Sequence, residues 1–78
     1  MVKVEIYTTP WCAYCKMAKE HFKKNNVPYA EYDVSSDAKR RQEMIDKTGQ
    51  MGVPVIVIGD SIVVGFDRNK INELLELK

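Results

Sequence analysis

Cys12 and Cys15 are the only two cysteines of the chain, separated by Ala13 and Tyr14. Two thiols can staple a fold, ligate a metal or exchange electrons, and their spacing discriminates among these uses. A Cys12–Cys15 bond would enclose only Ala13 and Tyr14. Cross-link stabilisation grows with the logarithm of loop length, so such a bond constrains the unfolded chain very little. As an electron-exchanging pair the spacing is well suited. Residues three apart on a helix lie roughly 5–6 Å from one another, inside the ~4.4–6.8 Å window a disulfide needs between Cα atoms. The two sulfurs can therefore join and part without large backbone movement.

The flanking sequence makes the two sulfurs unequal. Val2, Val4 and Ile6 alternate with Lys3, Glu5 and Tyr7, which predicts a strand over 2–7. Thr8-Thr9-Pro10-Trp11 reads as a loop, because Pro10 has no N–H for a ladder and biases Thr9 towards an extended conformation. A helix over 12–25 follows, with Cys15, Ala18 and Phe22 on one apolar stripe. A second start, with Thr9 as N-cap and Pro10 at the first helical position, also leaves Cys12 within the first turn. There Cys12 meets free backbone N–H groups and the positive end of the helix dipole, which favour a thiolate. Lys16 and Lys19 are expected to add positive potential. One turn inside, Cys15 is expected to be buried and protonated. The expected cycle is attack on a disulfide by Cys12, resolution of the mixed disulfide by Cys15, and re-reduction of the pair by an outside donor. A cysteine pair after the first strand of a strand-helix-strand pattern is a recognised sign of this chemistry.

The remaining elements supply the frame. Asn25-Asn26 and Val27-Pro28 stop the first helix, and Tyr29 to Val34 reads as a second strand. Ser35-Ser36, with Asp37 in the first turn, begins a second helix bearing a sparse stripe of Ala38, Met44 and Ile45, with Asp37–Arg41 and Lys39–Glu43 as its expected pairs and Gly49 as its C-terminal cap. Residues 54–58 and 61–64 are β-branched runs joined by Gly59-Asp60, which predicts a type II′ hairpin. Their continuous apolar character predicts a sheet covered on both faces. Asp67 suits the N-cap of a last helix whose buried stripe is Ile71, Leu74 and Leu75. The order β-α-β-α-β-β-α, with a parallel first pair and an antiparallel last pair, describes an α/β fold with a four-stranded mixed sheet flanked by helices.

Composition narrows the function classes. Seventy-eight residues allow one domain, spanning 1–78, and 45% hydrophobic with 29% charged residues is ordinary for a globular chain. Twelve basic residues against eleven acidic give a net charge of +1, which argues against nucleic acid or a membrane surface as the main partner. The longest apolar run, Val53 to Ile58, is far below the roughly 18 residues a membrane span needs. The first residues lack the pattern of a signal peptide, so the chain is expected in the cytoplasm, where thiols stay reduced. A monomer is expected.

Thr9-Pro10-Trp11-Cys12-Ala13-Tyr14-Cys15-Lys16 resembles the active-site segment of glutaredoxins, whose usual form is Cys-Pro-Tyr-Cys. Gly52-Val53-Pro54 is similar to the family's Thr-Val-Pro segment, and Val64-Gly65-Phe66-Asp67 to its Gly-Gly-x-Asp segment. The likeness covers essentially the whole chain and keeps the motif order. It implies a thioredoxin-like fold, a cis Val53–Pro54 bond, and backbone groups of Val53 that receive the substrate cysteine as a short strand addition. It further implies that Tyr14, Val53, Pro54, Gly65 and Asp67 line the binding site for glutathione or a disulfide partner. The glutathione pattern is partial: Thr9 stands where glutathione-using members carry Lys or Arg, Val64 replaces the first glycine, and Arg68 replaces an acidic residue. The Gly65-Phe66 pair also resembles small glutaredoxin-like redoxins that serve ribonucleotide reductase and draw on thioredoxin reductase. The implied partners are thus disulfide-containing proteins, with glutathione as co-substrate or thioredoxin reductase as donor, and no tightly bound cofactor.

Four other chemistries compete. Zinc wants four ligands, whereas two cysteines and one histidine are present, and His21 lies nine residues beyond Cys12, roughly 13 Å along a helix. Copper-carrying domains with an early Cys-x-x-Cys close with a strand, and this order closes with a helix. An iron–sulfur cluster shared across a dimer through Cys12 would need further thiolates from a neighbour or glutathione. A cysteine hydrolase would need a base ~2.6–3.2 Å from the nucleophile, which His21 does not reach on an intact helix. Trp11 and Tyr14, beside a reactive sulfur, are expected to form an apolar rim for docking a partner's disulfide loop.

Overall fold

A computed structural model of the chain describes residues 3–49, 52 and 54–76. The elements are β1 (Val4–Thr8), α1 (Ala13–Lys24), β2 (Ala30–Asp33), α2 (Ala38–Thr48), β3 (Val55–Ile58), β4 (Ser61–Val64) and α3 (Arg68–Leu75). They run in the expected order. The strands form one sheet in the order β2-β1-β3-β4. β1 and β2 are parallel with Ile6 beside Glu31, and β1 and β3 are antiparallel with Tyr7 beside Val55. β3 and β4 form the antiparallel hairpin, with Gly59 at φ 60° and no positive φ at Asp60, as a type II′ turn requires. A mixed thioredoxin-like sheet with three helices results.

Alternation along the strands sends side chains to two cores, one on each face. Val4 and Ile6 of β1, Ile56 and Ile58 of β3 and Val63 of β4 pack with Ala18 and Phe22 of α1 and Ile71 of α3. On the opposite face Tyr7, Val55 and Val57 pack with Val34 and with Met44 of α2. Tyr7 is a correction to the strand pattern. Grouped by sequence with polar Lys3 and Glu5, it is 0% exposed, because α2 covers that face and its side chain bridges apolar and polar surroundings. Its ring lies 5.4 Å from that of Tyr32, and its hydroxyl accepts from Lys47 at 3.3 Å.

The covered-sheet expectation holds for β3, whose four residues are all buried, and fails for β4. β4 is an edge strand, and Ile62 and Val64 face outward. Of the expected α2 stripe only Met44 is buried; Ile45 is half-buried and Ala38 exposed. The expected α2 ion pairs are replaced. Asp37 is the N-cap and accepts from the Arg40 N–H, while the Arg40 guanidinium pairs with Glu43 at 3.0 Å and lies 4.1 Å over the Tyr32 ring. On α3, Ile71 is buried and Leu74 and Leu75 are half-buried against the same core.

The helix ends follow local chemistry. After α1, Asn26 adopts φ 57°, the Asn26 N–H donates to Lys23 at 3.2 Å and the Val27 N–H to Phe22 at 2.8 Å. This is a Schellman ending, with asparagine in the left-handed position and Val27 returned to the core. Gly49 ends α2 at φ 74°.

Candidate functional site

The site forms where β1 runs into α1. The Cys12 N–H donates to the Thr9 carbonyl at 3.3 Å, so Thr9-Pro10-Trp11-Cys12 is a turn with Pro10 at its second position, where a fixed φ suits it. α1 begins at Ala13, one residue later than the main sequence reading, and neither Thr9 nor Pro10 starts it. Cys12 is itself the N-cap, in an extended conformation (φ −88°, ψ 112°). Its sulfur takes the role a Ser or Asp oxygen usually fills: it accepts the Cys15 backbone N–H at 3.1 Å. An N-cap sulfur at the positive end of the helix gains from negative charge.

Cys15 sits one turn inside, 1% exposed, on the stripe with Ala18 and Phe22. Both cysteines are free thiols, Cys12 half-buried and Cys15 buried. Burial first, and then its hydrogen bond to the Cys12 sulfur, push the Cys15 thiol up to about 12; the Thr9 backbone and the Lys19 ammonium pull the other way. The expected inequality of position is therefore present. Lys19 departs from expectation. It is engaged by Glu31 of β2 at 2.7 Å and acts on Cys15, while Lys16 is exposed.

The resemblance-derived positions gather at the same end of the sheet. Pro54 directly precedes β3, whose first residue pairs with Tyr7 near the end of β1, and its side chain is fully buried. Its carbonyl accepts the Gly65 N–H at 2.7 Å, and Gly65, at φ 85°, turns the chain from β4 towards α3. Asp67 caps α3, accepting the Lys70 N–H at 3.1 Å. Val53, and with it the Val53–Pro54 bond, lies outside the described residues. Where glutathione-using members carry a cation, the Thr9 hydroxyl is buried and, among the described residues, without a hydrogen-bond partner.

Trp11 and Tyr14 are 77% and 63% exposed, as a docking rim requires. Met17, which the sequence reading passed over, joins them at 48% exposed. Its signal was its spacing, three residues beyond Tyr14 on the flank of α1 away from the buried stripe. His21 is turned to other work: its Nε2 lies 2.7 Å from Asn72 Oδ1 and its ring meets Phe66 edge-on, which ties α1 to α3. Among the described residues no group of three or more His, Cys, Asp and Glu side chains is arranged to hold a metal. A cavity of about 280 Å³ lined by Lys3, Val4, Pro28, Tyr29 and Ala30 opens at the far end of β1 and takes no part in the site. No described helix is long and apolar enough to cross a membrane.

The glutaredoxin family model matches residues 4–63, which run from the start of β1 into β4 and include both cysteines. The chain belongs to the glutaredoxin family. A glutaredoxin-like 8.6 kDa protein of the Clostridium pasteurianum rubredoxin operon is 42% identical over 73 residues, covering 94% of this chain and 97% of that one. Glutaredoxin 3 of Escherichia coli is 37% identical over 67 residues, covering 86% and 81%. Among solved structures, the T8A variant of the thioredoxin-like protein BC3987 superposes with a TM-score of 0.92 at 37% identity, covering 97% of each chain. The NrdH-redoxin of Escherichia coli, a glutaredoxin-like protein with a thioredoxin-like activity profile, superposes with a TM-score of 0.81 at 25% identity, covering 92% of this chain and 93% of its own. Glutaredoxins are thiol–disulfide oxidoreductases, and Cys12 with Cys15 is this member's paired-cysteine site.

Proposed function

We propose that this glutaredoxin reduces disulfides of proteins, and mixed disulfides with glutathione, with Cys12 as nucleophile and Cys15 as resolving thiol. The observation that carries the proposal is the division between the two sulfurs. Cys12, at the helix N-cap, accepts a backbone N–H at 3.1 Å, while Cys15 is buried and its thiol is pushed up to about 12. In the first half-reaction the Cys12 sulfur attacks a substrate disulfide. A Cys12–substrate bond forms, the substrate S–S bond breaks, and one substrate sulfur leaves as a thiolate. In the second, Cys15 attacks Cys12, the Cys12–Cys15 bond forms, and the second substrate sulfur departs carrying the electron pair. The protein pair is oxidised and the substrate reduced.

Trp11 and Tyr14, which flank Cys12 in the chain, are exposed apolar surface, and Met17 adds more further along α1, which suits a protein loop around a cystine better than a small polar thiol alone. Pro54, Gly65 and Asp67 line the same end of the sheet. Re-reduction comes from glutathione or from thioredoxin reductase. The absence of a cation at Thr9 and the likeness to the NrdH-redoxin favour the second donor.

The test is direct. Cys12→Ser abolishes disulfide reduction, and Cys15→Ser loses reduction of protein disulfides while retaining exchange with glutathione mixed disulfides. Full activity of Cys15→Ser on protein disulfides, such as that of an oxidised ribonucleotide reductase, refutes the resolving role. Oxidised protein is then offered glutathione with glutathione reductase, or thioredoxin reductase, and recovery of free thiols identifies the donor.

A further inference from the structure

The resolving step sets a problem that the cysteine pair does not solve by itself. Once Cys12 is bonded to substrate, Cys15 must lose its proton to attack, in a buried setting that opposes a thiolate. Lys19 follows Cys15 by one helical turn, where side chains four apart are neighbours. Its ammonium is not free to wander. It lies 2.7 Å from Glu31 Oε2, and the same oxygen accepts the Thr8 hydroxyl at 2.9 Å. Thr8 is 1% exposed and is the last residue of β1, immediately before the turn that carries Cys12. Three elements, β1, α1 and β2, thus converge to fix one cation on the residue one helical turn beyond the inner sulfur.

We propose that Lys19, fixed by Glu31 and through it by Thr8, is a positioning residue that stabilises the Cys15 thiolate as the mixed disulfide is resolved. The inference rests on the resolving role proposed above for Cys15. A lysine on a flexible four-carbon stem spreads its charge over many rotamers; one anchored to a carboxylate keeps it in one place. Glu31 offsets part of that charge but fixes its location. The groups acting on Cys15 are Cys12, the Thr9 backbone and Lys19; those acting on Lys19 are Glu31, Tyr29 and Cys15, with Lys23 acting on Glu31 from further along α1. Of the groups acting on Cys15, the Thr9 backbone and Lys19 favour the thiolate, and only Lys19 carries a side-chain charge. In the step itself the Cys15 S–H bond and the Cys12–substrate bond break, the Cys12–Cys15 bond forms, and the Cys15 proton ends on the departing substrate sulfur.

The experiment uses the full chain, reduced, with 5,5′-dithiobis(2-nitrobenzoate) as the disulfide. Chromophore release has two phases, the first from attack by Cys12 and the second from resolution by Cys15, with the proton passing to buffer because this leaving thiolate stays ionised. Lys19→Met is expected to slow the second phase about threefold at pH 7 and to move its pH profile up by about one unit: a one-unit rise of one thiol costs about tenfold in thiolate, and the higher nucleophilicity of the more basic sulfur returns about threefold. The first phase is expected to be unchanged, in the wild type and in a Cys15→Ser background alike, and Lys19→Arg is expected to restore the second. A second phase in Lys19→Met with wild-type rate and pH profile overturns the proposal, as does equal slowing of both phases. A purely structural role predicts lower thermal stability with an unmoved second-phase profile, which also overturns it. If Cys15→Ser itself keeps two phases, the resolving role has failed, and the assignment of Lys19 falls with it.

Discussion

The depth of Cys15 makes a quantitative demand on its chemistry. With its thiol pushed up to about 12, only about one molecule in 100,000 carries the Cys15 thiolate at pH 7. An ordinary exposed cysteine, with a pKa of about 8.5, is ionised to roughly 3% at the same pH. Ionisation alone thus slows Cys15 about 3,000-fold relative to such a thiol. A more basic thiolate is intrinsically more nucleophilic, and a Brønsted slope of ~0.4–0.5 over about 3.5 units returns a factor of roughly 30–50. The remainder, about 50–100-fold, is a floor, because side-chain burial adds a steric barrier to the reagent. Cys12 sits at the N-cap and is only half-buried. Iodoacetamide added to reduced protein at pH 7 should therefore label Cys15 at least ~50-fold more slowly than it labels an exposed reference cysteine, and Cys12 should be labelled before Cys15. Both cysteines fall on one tryptic peptide, since the lysines nearest to them are Lys3 and Lys16, so fragmentation within that peptide must assign the label. Cys15 labelling should rise about tenfold per pH unit between pH 7 and 10, still below the pKa. Comparable rates at the two sulfurs, or a Cys15 rate indifferent to pH, would refute the reasoning.

Stability should fall as pH rises from about 9 to about 12. The unfolded thiol of Cys15 ionises from about 9, while the folded one keeps its proton until about 12, so the native state binds more protons in that window; Cys15→Ala should flatten this part of a urea-denaturation pH series. Phe22→Ala removes a fully buried ring shared by α1 and the sheet, and should cost about 3–5 kcal/mol in equilibrium unfolding. Lys19→Met should change unfolding free energy by less than ~1 kcal/mol, because the Lys19–Glu31 pair is 27% and 40% exposed; a larger loss would mean that the ion pair is chiefly structural. Thr9→Lys should raise the rate with glutathione mixed disulfides by supplying the cation that glutathione-using members carry at this position, and an unchanged steady-state rate would show that the missing charge is not what limits this substrate.

Much of the molecule is legible in local patterns. The turn before Cys12, the stripe Cys15-Ala18-Phe22, the caps Asp67 and Gly49, the asparagine stop after α1 and the Gly59-Asp60 hairpin all depend on neighbours a few residues away, and such interactions are written in spacing. The same holds for the inequality of the two sulfurs, which follows from one being at a helix end and the other one turn within. What spacing does not encode is which surface a second element will cover. Glu5 and Tyr7 lie on the same face of β1, yet α2 buries Tyr7 completely while Glu5 stays half-buried and accepts the Tyr32 hydroxyl at 2.9 Å.

The Cys-x-x-Cys pair at the entry to the first helix, together with the order of strands and helices around it, was determined by the sequence alone, because sulfur spacing and helix ends are matters of a few bonds. The partner of Lys19 was decided only by the tertiary structure: Glu31 lies 12 residues away and on another element, and parallel pairing of β2 with β1 brings it beside Thr8. Burial of Tyr7, exposure of Ile62 and Val64 on the edge strand, and the tie between His21 and Asn72 were decided in the same way, by which elements lie side by side once the chain has closed.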